Sequence, residues 1–185
     1  MKILAFAASN SRKSINQQLV RYAAGLVAGA EVEMLDLNDY EMPLFSEDRE
    51  AEIGQPDQAR AIINKIADSD AVMIAFAEHN GSYSAAYKNI FDWASRIHQQ
   101  VFQNKPMVLL ATSPGPGGAA TVLTTATTSA PYFAGDVKAS LSVPSFYDNF
   151  DMEQGRISND AINQQLIEAV NRLRDDNTAT LQQAS

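Results

Sequence analysis

Short unbroken apolar runs alternate along the chain with longer stretches in which apolar residues recur every three or four positions. Ile3-Leu4-Ala5-Phe6-Ala7 is apolar without interruption, the pattern of a strand buried on both faces. Over 14–28, Ile15, Leu19, Tyr22, Ala23 and Leu26 share one face of a helix. Val32-Glu33-Met34-Leu35-Asp36 predicts a second, more exposed strand, and 37–55, with Pro43 and a dense run of acids, reads as a long loop. A helix over 56–68 turns Ala59, Ile62, Ile63 and Ile66 inward. Residues 71–76 are a third strand, and 83–100 a helix with Tyr87, Ile90, Phe91, Ala94 and Ile97 on one face. Residues 107–111 are a fourth strand. A Gly/Pro turn at 113–118 opens a helix over 118–133, and a fifth strand, 137–143, is broken by Pro144. A last helix, 159–174, carries Ile162, Leu166, Ile167, Val170 and Leu173 inward, and the small polar residues 175–185 read as a frayed tail.

Five strands alternating with five helices imply a parallel sheet covered on both faces. Right-handed crossovers make it a doubly wound, three-layer α/β sheet, with flavodoxin-like order 2-1-3-4-5 expected. The chain shows no repeats and no linker, so 1–174 reads as one domain. In such sheets ligands bind beyond the carboxyl ends of the strands where the strand order reverses, here at the loops after strands one, three and four.

Composition narrows the function. The 185 residues are 45% apolar and 19% charged, ordinary for one globular domain. With no cysteine there are no disulfides, thiolate metal sites or cysteine nucleophiles, and two histidines leave little for zinc. No apolar run approaches the ~20 residues of a membrane helix. The N-terminal run reads as a buried strand rather than an export signal, so a cytoplasmic location is expected. A net charge of −8 argues against nucleic-acid or membrane-surface binding. Its layout matters more. Residues 31–57 hold ten acids and one base, whereas the first 30 residues hold Lys2, Arg12, Lys13 and Arg21 and no acid. A small anionic ligand near the N-terminus is therefore compatible with the acidic total.

The three loops carry the candidate chemistry. Ala8-Ser9-Asn10-Ser11-Arg12-Lys13-Ser14-Ile15-Asn16 joins a buried strand to a helix N-terminus, where free amides and a partial positive charge favour phosphate. Three hydroxyls, two amides and two bases exceed what an N-capped turn needs. Ala77-Glu78-His79-Asn80-Gly81-Ser82 mixes an acid, an imidazole and an amide, and Asn80-Gly81 favours positive φ. Ser113-Pro114-Gly115-Pro116-Gly117-Gly118 is a rigid turn whose bare backbone lets a flat ligand approach. It matches G-x-G-x-x-A formally. However, the dinucleotide fingerprint belongs to the first βαβ unit and needs an acid ending the next strand, and Asp136 begins that strand instead. There is no Walker A sequence, no nucleophile elbow, and no acid and histidine placed to activate Ser9. Trp93, in mid-helix, reads as a core or interface residue.

Together these loops resemble the NAD(P)H-dependent FMN reductase family. The first is similar to the family's G-S-x-S-x-x-S-x-N, with alanine for glycine. The second is similar to P-x-Y-N-x-S followed by L-K-N-x-x-D-W-x-S-R, which stands here as Tyr87-Lys88-Asn89-Ile90-Phe91-Asp92-Trp93-Ala94-Ser95-Arg96. Lys105-Pro106 and Ser113 to Gly118 are similar to K-P and S-x-G-x-x-G-G, one residue shorter, and Met42-Pro43-Leu44-Phe45 to D-L-P-x-[YF]. The likeness covers about 1–145.

The resemblance implies an FMN phosphate held by Ser9, Ser11, Ser14, Ile15 and Asn16 with Arg12 beside them. It places the isoalloxazine against Ala77, Glu78, His79, Asn80 and Gly81 on one side and Ser113, Gly115, Gly117 and Gly118 on the other. It implies hydride transfer from NADPH or NADH through flavin N5, with no catalytic side chain, to a small electron acceptor: a quinone, flavin, azo compound or metal ion. It also implies a homodimer or homotetramer. The exposed apolar content expected of the 83–100 helix, with Trp93 and Phe102, agrees with self-association. Ala77 and His79 replace the family's proline and tyrosine, which makes His79 a candidate modulator of the flavin. Two other readings share the fold: a flavodoxin-type electron carrier, and a flavin-free binding protein.

Overall fold

The computed structural model describes residues 1–183, with side chains through Arg174. In chain order the elements are β1 (Lys2–Ala8), α1 (Ile15–Gly25), β2 (Glu31–Leu35), α2 (Glu47–Ile53), α3 (Asp57–Ala67), β3 (Ala71–Phe76), β4 (Glu78–His79), β5 (Ser82–Tyr83), α4 (Ala85–Ile97), β6 (Pro106–Thr112), α5 (Ala120–Ser129), β7 (Asp136–Val143), α6 (Phe146–Asn149), β8 (Phe150–Asp151), β9 (Arg156–Ile157) and α7 (Asp160–Gln183). The tail expected to fray, 175–185, falls on residues whose side chains lie outside those described.

The main sheet runs β2-β1-β3-β6-β7, all parallel, which is the expected 2-1-3-4-5 order. Alternate residues of the central strands feed two cores. Leu4, Phe6, Val72, Ile74 and Leu109 pack under α3, α4 and α5, and Ile3, Ala5, Met73, Val108 and Leu110 pack under α1 and α7. Strand order reverses between β1 and β3, so their carboxyl ends open a crevice.

Several boundaries differ from the sequence expectation. The expected loop 37–55 contains a 3-10 turn at Leu37–Tyr40 and the helix α2. Ser46 caps α2, which buries none of its residues, so no apolar period marks it. The expected helix 83–100 begins only at Ala85, because Glu78–Tyr83 form a small hairpin. Ser84 sets that start: its Oγ accepts from Tyr87 N and donates to the Ala8 carbonyl at 2.8 Å, fastening α4 to the end of β1. The expected helix 118–133 divides into α5 and a 3-10 turn containing Pro131. Residues 146–157 form α6 and the β8–β9 hairpin, neither of which was anticipated.

The sequence run around Trp93 is a structural grip. Asn89, Trp93 and Arg96, spaced four and three residues apart, share one face of α4. Trp93 Nε1 donates to the Pro43 carbonyl at 2.7 Å, and Asn89 accepts from Phe45 N and donates to the carbonyls of Met42 and Pro43. Arg96 pairs with Glu50 of α2 at 2.8 Å. This face holds the 42–50 segment on the domain. Trp93 is fully buried and Phe102 nearly so, which settles Trp93 as core and removes both from any exposed self-association face.

Candidate functional site

The loops after β1, β3 and β6 converge on an open cleft of about 260 Å3 at the carboxyl end of the sheet. From the first loop, Ser9, Ser11, Lys13, Ser14, Ile15 and Asn16 line it. Ser9 Oγ accepts from Ser11 N at 3.2 Å, and Ser14, the N-cap of α1, accepts from Gln17 N at 3.3 Å. Both hydroxyls keep their own protons to donate. The first-turn N–H groups of α1, at Ile15 and Asn16, have no intrahelical acceptor and point along the axis into the cleft. Arg12 and Lys13 are exposed, and neither forms an ion pair among the described residues. Lys13 reaches the cleft wall, whereas Arg12 does not line it. Asn10 turns instead toward a neighbouring hollow beside Tyr40 and Glu41.

The Asn16 side chain lies at the cleft and is also engaged within the fold. Its Nδ2 donates to the Thr112 carbonyl at 3.1 Å and its Oδ1 accepts from Thr112 N at 3.0 Å. This two-bond brace, 3% exposed, ties the start of α1 to the end of β6. Beside that brace Asn16 keeps its main-chain N–H and the second Nδ2 proton.

The second loop contributes Ala77, Glu78 and His79 to the cleft, while Asn80 and Gly81 lie at the hairpin tip outside its wall. Asn80 and Gly81 have φ of 52° and 75°, the pair of positive values a tight two-residue hairpin turn requires. His79 is exposed. Glu78 Oε2 accepts from Val122 N at 2.9 Å, in the first turn of α5.

In the third loop Ser113 and Pro114 line the cleft, whereas Gly115, Gly117 and Gly118 do not. Gly118 has φ of 58°, and a Cβ there would collide with Ser142 Oγ and stand 3.1 Å from Pro144 N. Gly115 and Gly117 would each accept a Cβ without contact. Their backbone therefore stays open on the solvent side. The Gly115 and Ser113 carbonyls accept from Ser145 N and Phe146 N at 2.9 and 3.0 Å, so the loop is anchored to the segment after β7. That anchoring brings Tyr147, 62% exposed, to the cleft edge. Thr112 and Tyr147 line the cleft with no role assigned to them from sequence, whereas Lys13 is one of the two bases counted in the first loop. Lys13 and Thr112 at least sit in two of the three loops the topology selects.

A second hollow, a slot of about 230 Å3 between α4 and α5, shares no residue with the cleft. Its walls include Tyr83, Tyr87, Phe91 and Phe133. Burial pushes the phenols of Tyr83 and Tyr87 upward, so both remain neutral.

The chain is similar to known proteins in sequence and in fold. The sequence profile described as NADPH-dependent FMN reductase matches residues 1–147. An NAD(P)H-dependent FMN reductase of Pseudomonas aeruginosa is 35% identical over 121 residues, 65% of this chain and 64% of that protein. A 2-hydroxy-1,4-benzoquinone reductase of a Burkholderia species is 35% identical over 122 residues, with the same coverage. The chain thus matches about 64% of the length of these two relatives. Among solved structures, a flavoenzyme NAD(P)H:(acceptor) oxidoreductase of Paracoccus denitrificans superposes with a TM-score of 0.75 at 24% identity, over 94% of this chain and 95% of that one. It shares the fold. With 147 of its residues matching the family profile, the chain belongs to the NADPH-dependent FMN reductase family.

Proposed function

We propose that this chain is an FMN-dependent NAD(P)H oxidoreductase that passes a hydride from NADPH or NADH to a small acceptor. The observation that carries the reading is the open N-terminus of α1, flanked by Ser9, Ser11 and Ser14 at the crevice where strand order reverses. Oriented N–H groups, hydroxyl protons and an unpaired Lys13 suit a phosphate, and no acid precedes Glu31 in the chain. The residues present fit the phosphate end of FMN. The ring would lie between the β4–β5 hairpin and the 113–118 turn, with the open backbone of Gly115 and Gly117 giving it room to approach.

Bound there, FMN would supply hydride acceptance and release. The chain's own part is to hold the phosphate on α1, to aim the ring with two anchored loops, and to leave one face open to nicotinamide and acceptor in turn. No proton-transferring side chain is required. His79, at the cleft wall in place of the family's tyrosine, would tune the flavin's surroundings. Among acceptors, quinones are the favoured class, because relatives at 33–35% identity are named 2-hydroxy-1,4-benzoquinone reductase and NADPH:quinone oxidoreductase. We further propose one domain over 1–174, a cytoplasmic location, where reduced nicotinamides are abundant, and a homodimer or homotetramer. The apolar slot between α4 and α5, which Phe102 helps to line, supports self-association in place of the fully buried Trp93.

The test is an absorption spectrum of purified protein with added FMN, followed by anaerobic NADPH or NADH and then a benzoquinone. Co-eluting flavin that bleaches with nicotinamide and recolours with quinone is the expected result. Flavin that binds but stays oxidised defeats the reductase reading in favour of a carrier. Flavin that passes straight through the column defeats FMN binding itself.

A further inference from the structure

The helix α5 begins without a cap of its own. Ala119, its N-cap residue, is left-handed (φ 59°, ψ 36°) and has no side-chain acceptor. The preceding residues, Gly117 and Gly118, supply none either. Ala120 N still finds the Gly117 carbonyl at 3.0 Å within the turn, but the N–H groups after it, up to Val122, have no local acceptor. Glu78 meets one of them. Its Oε2 accepts from Val122 N, the third residue of α5, at 2.9 Å across 44 positions of sequence. That is the bond a serine or aspartate N-cap makes locally, delivered here from another loop. A carboxylate in this place also opposes the positive end of the helix dipole.

The partner of Glu78 across the hairpin ladder is Tyr83. Its hydroxyl lies 3.1 Å from Ser129 Oγ, at the last residue of α5. One face of the hairpin therefore spans the helix, with Glu78 on the first turn and Tyr83 on the last. Side chains alternate along a strand, so His79 and Ser82 are sent to the opposite face. His79 lines the cleft, which Glu78 also borders. The 113–118 turn runs directly into Ala119 and α5. The two walls proposed to flank the ring are thus joined through one carboxylate.

We propose that Glu78 is a positioning residue: its carboxylate replaces the missing N-cap of α5 and so holds the hairpin and the 113–118 turn at the separation the flavin needs. The inference rests on the proposed ring placement between those walls. It assigns the side chain to the helix, and leaves only the Glu78 backbone to meet the cofactor. The charge has a second effect. It cancels the positive helix end beside the cleft, and its removal makes electrons on the flavin more favourable.

The experiment compares E78Q, E78A and the unaltered chain by amide hydrogen exchange at Val122 in flavin-free protein, by FMN dissociation constant, and by flavin midpoint potential. Glutamine keeps an acceptor and loses the charge, whereas alanine loses both. In E78A, exchange at Val122 is expected to rise, and FMN affinity to fall, by about tenfold, the size of a typical cap. In E78Q both stay close to the unaltered chain while the midpoint potential rises. Unchanged exchange at Val122 in E78A overturns the cap. Faster exchange with unaltered FMN affinity and potential overturns the positioning role. Failure of the unaltered chain to bind FMN removes the flavin reading and the positioning role with it, while the exchange result still decides the cap.

Discussion

Replacing Trp93 with alanine is expected to lower the unfolding free energy by about 3–5 kcal/mol. That is a third to a half of what a domain of ordinary stability has, of order 5–15 kcal/mol. The size follows from three losses at one position. The indole is fully buried in the core under α3, α4 and α5, so deletion leaves a cavity that close-packed neighbours fill only in part. Its edge-on contact with Phe45, ring centroids 5.0 Å apart, disappears. The Pro43 carbonyl loses its 2.7 Å bond from Nε1 and keeps only the longer one from Asn89, at 3.2 Å. The 42–50 segment is then held by Asn89 and the exposed Arg96–Glu50 pair, which contributes little on its own. Urea unfolding followed by circular dichroism measures the effect, since the variant has lost the chain's one tryptophan as a fluorescent reporter. W93F keeps one six-membered ring and removes the N–H with the rest of the indole, so a smaller loss of about 1–3 kcal/mol is expected. A W93A cost under about 1 kcal/mol would contradict the packing described above.

What the sequence reveals and what it hides divides along physical lines. Strands β1, β3 and β6 are legible because a strand covered on both faces must be apolar throughout, and four to eight such residues between turns have few other readings. The helix α2 is not legible. It buries nothing, so it has no period, and it is fastened from outside by the Ser46 cap and by Arg96. The β4–β5 hairpin escapes because two-residue strands are shorter than any alternation that could announce them. At the site, the serine-rich start of α1 is readable because phosphate recognition by a helix N-terminus is local chemistry. Asn16 and Glu78 are harder. Both carry side chains suited to a cofactor, but both are spent on main-chain groups 96 and 44 positions away. Only the folded topology brings Thr112 and Val122 to them. The run Asn89–Arg96, the most specific part of the family likeness, is legible as a likeness but not as a role. Its Asn89, Trp93 and Arg96 side chains grip a loop rather than touch the cleft.

The Asn16→Asp substitution isolates that brace with a change of one atom and one charge. Asn16 Oδ1 accepts from Thr112 N, and aspartate preserves this bond. Nδ2 donates to the Thr112 carbonyl at 3.1 Å, and aspartate places an anionic oxygen against a carbonyl oxygen there, at 3% exposure. Losing the donor and burying an unmatched charge cost about 2–4 kcal/mol. A carboxylate in the first turn of α1 recovers only about 0.3–1 kcal/mol from the helix dipole, so destabilisation prevails. An anion held by the N–H groups of Ile15 and Asn16 would also stand beside a new negative charge. Repulsion of a few kcal/mol at that separation corresponds to an FMN affinity loss of about a hundredfold or more. N16A, which breaks both bonds without adding charge, is expected to match the stability loss but lose much less affinity. The pH dependence gives the sign. Burial and the opposing carbonyl raise the new carboxyl's pKa in the folded chain, so the folded state binds more protons than the unfolded one. The stability of N16D, relative to N16A, therefore increases as pH falls through that raised value, where a protonated carboxyl can again donate to Thr112. Urea unfolding and FMN fluorescence titration at about pH 5 and pH 8, on either side of a raised carboxyl, read both effects. Parallel N16D and N16A profiles, with FMN bound as tightly as before, would mean that neither the brace nor the anion lies where the geometry puts it.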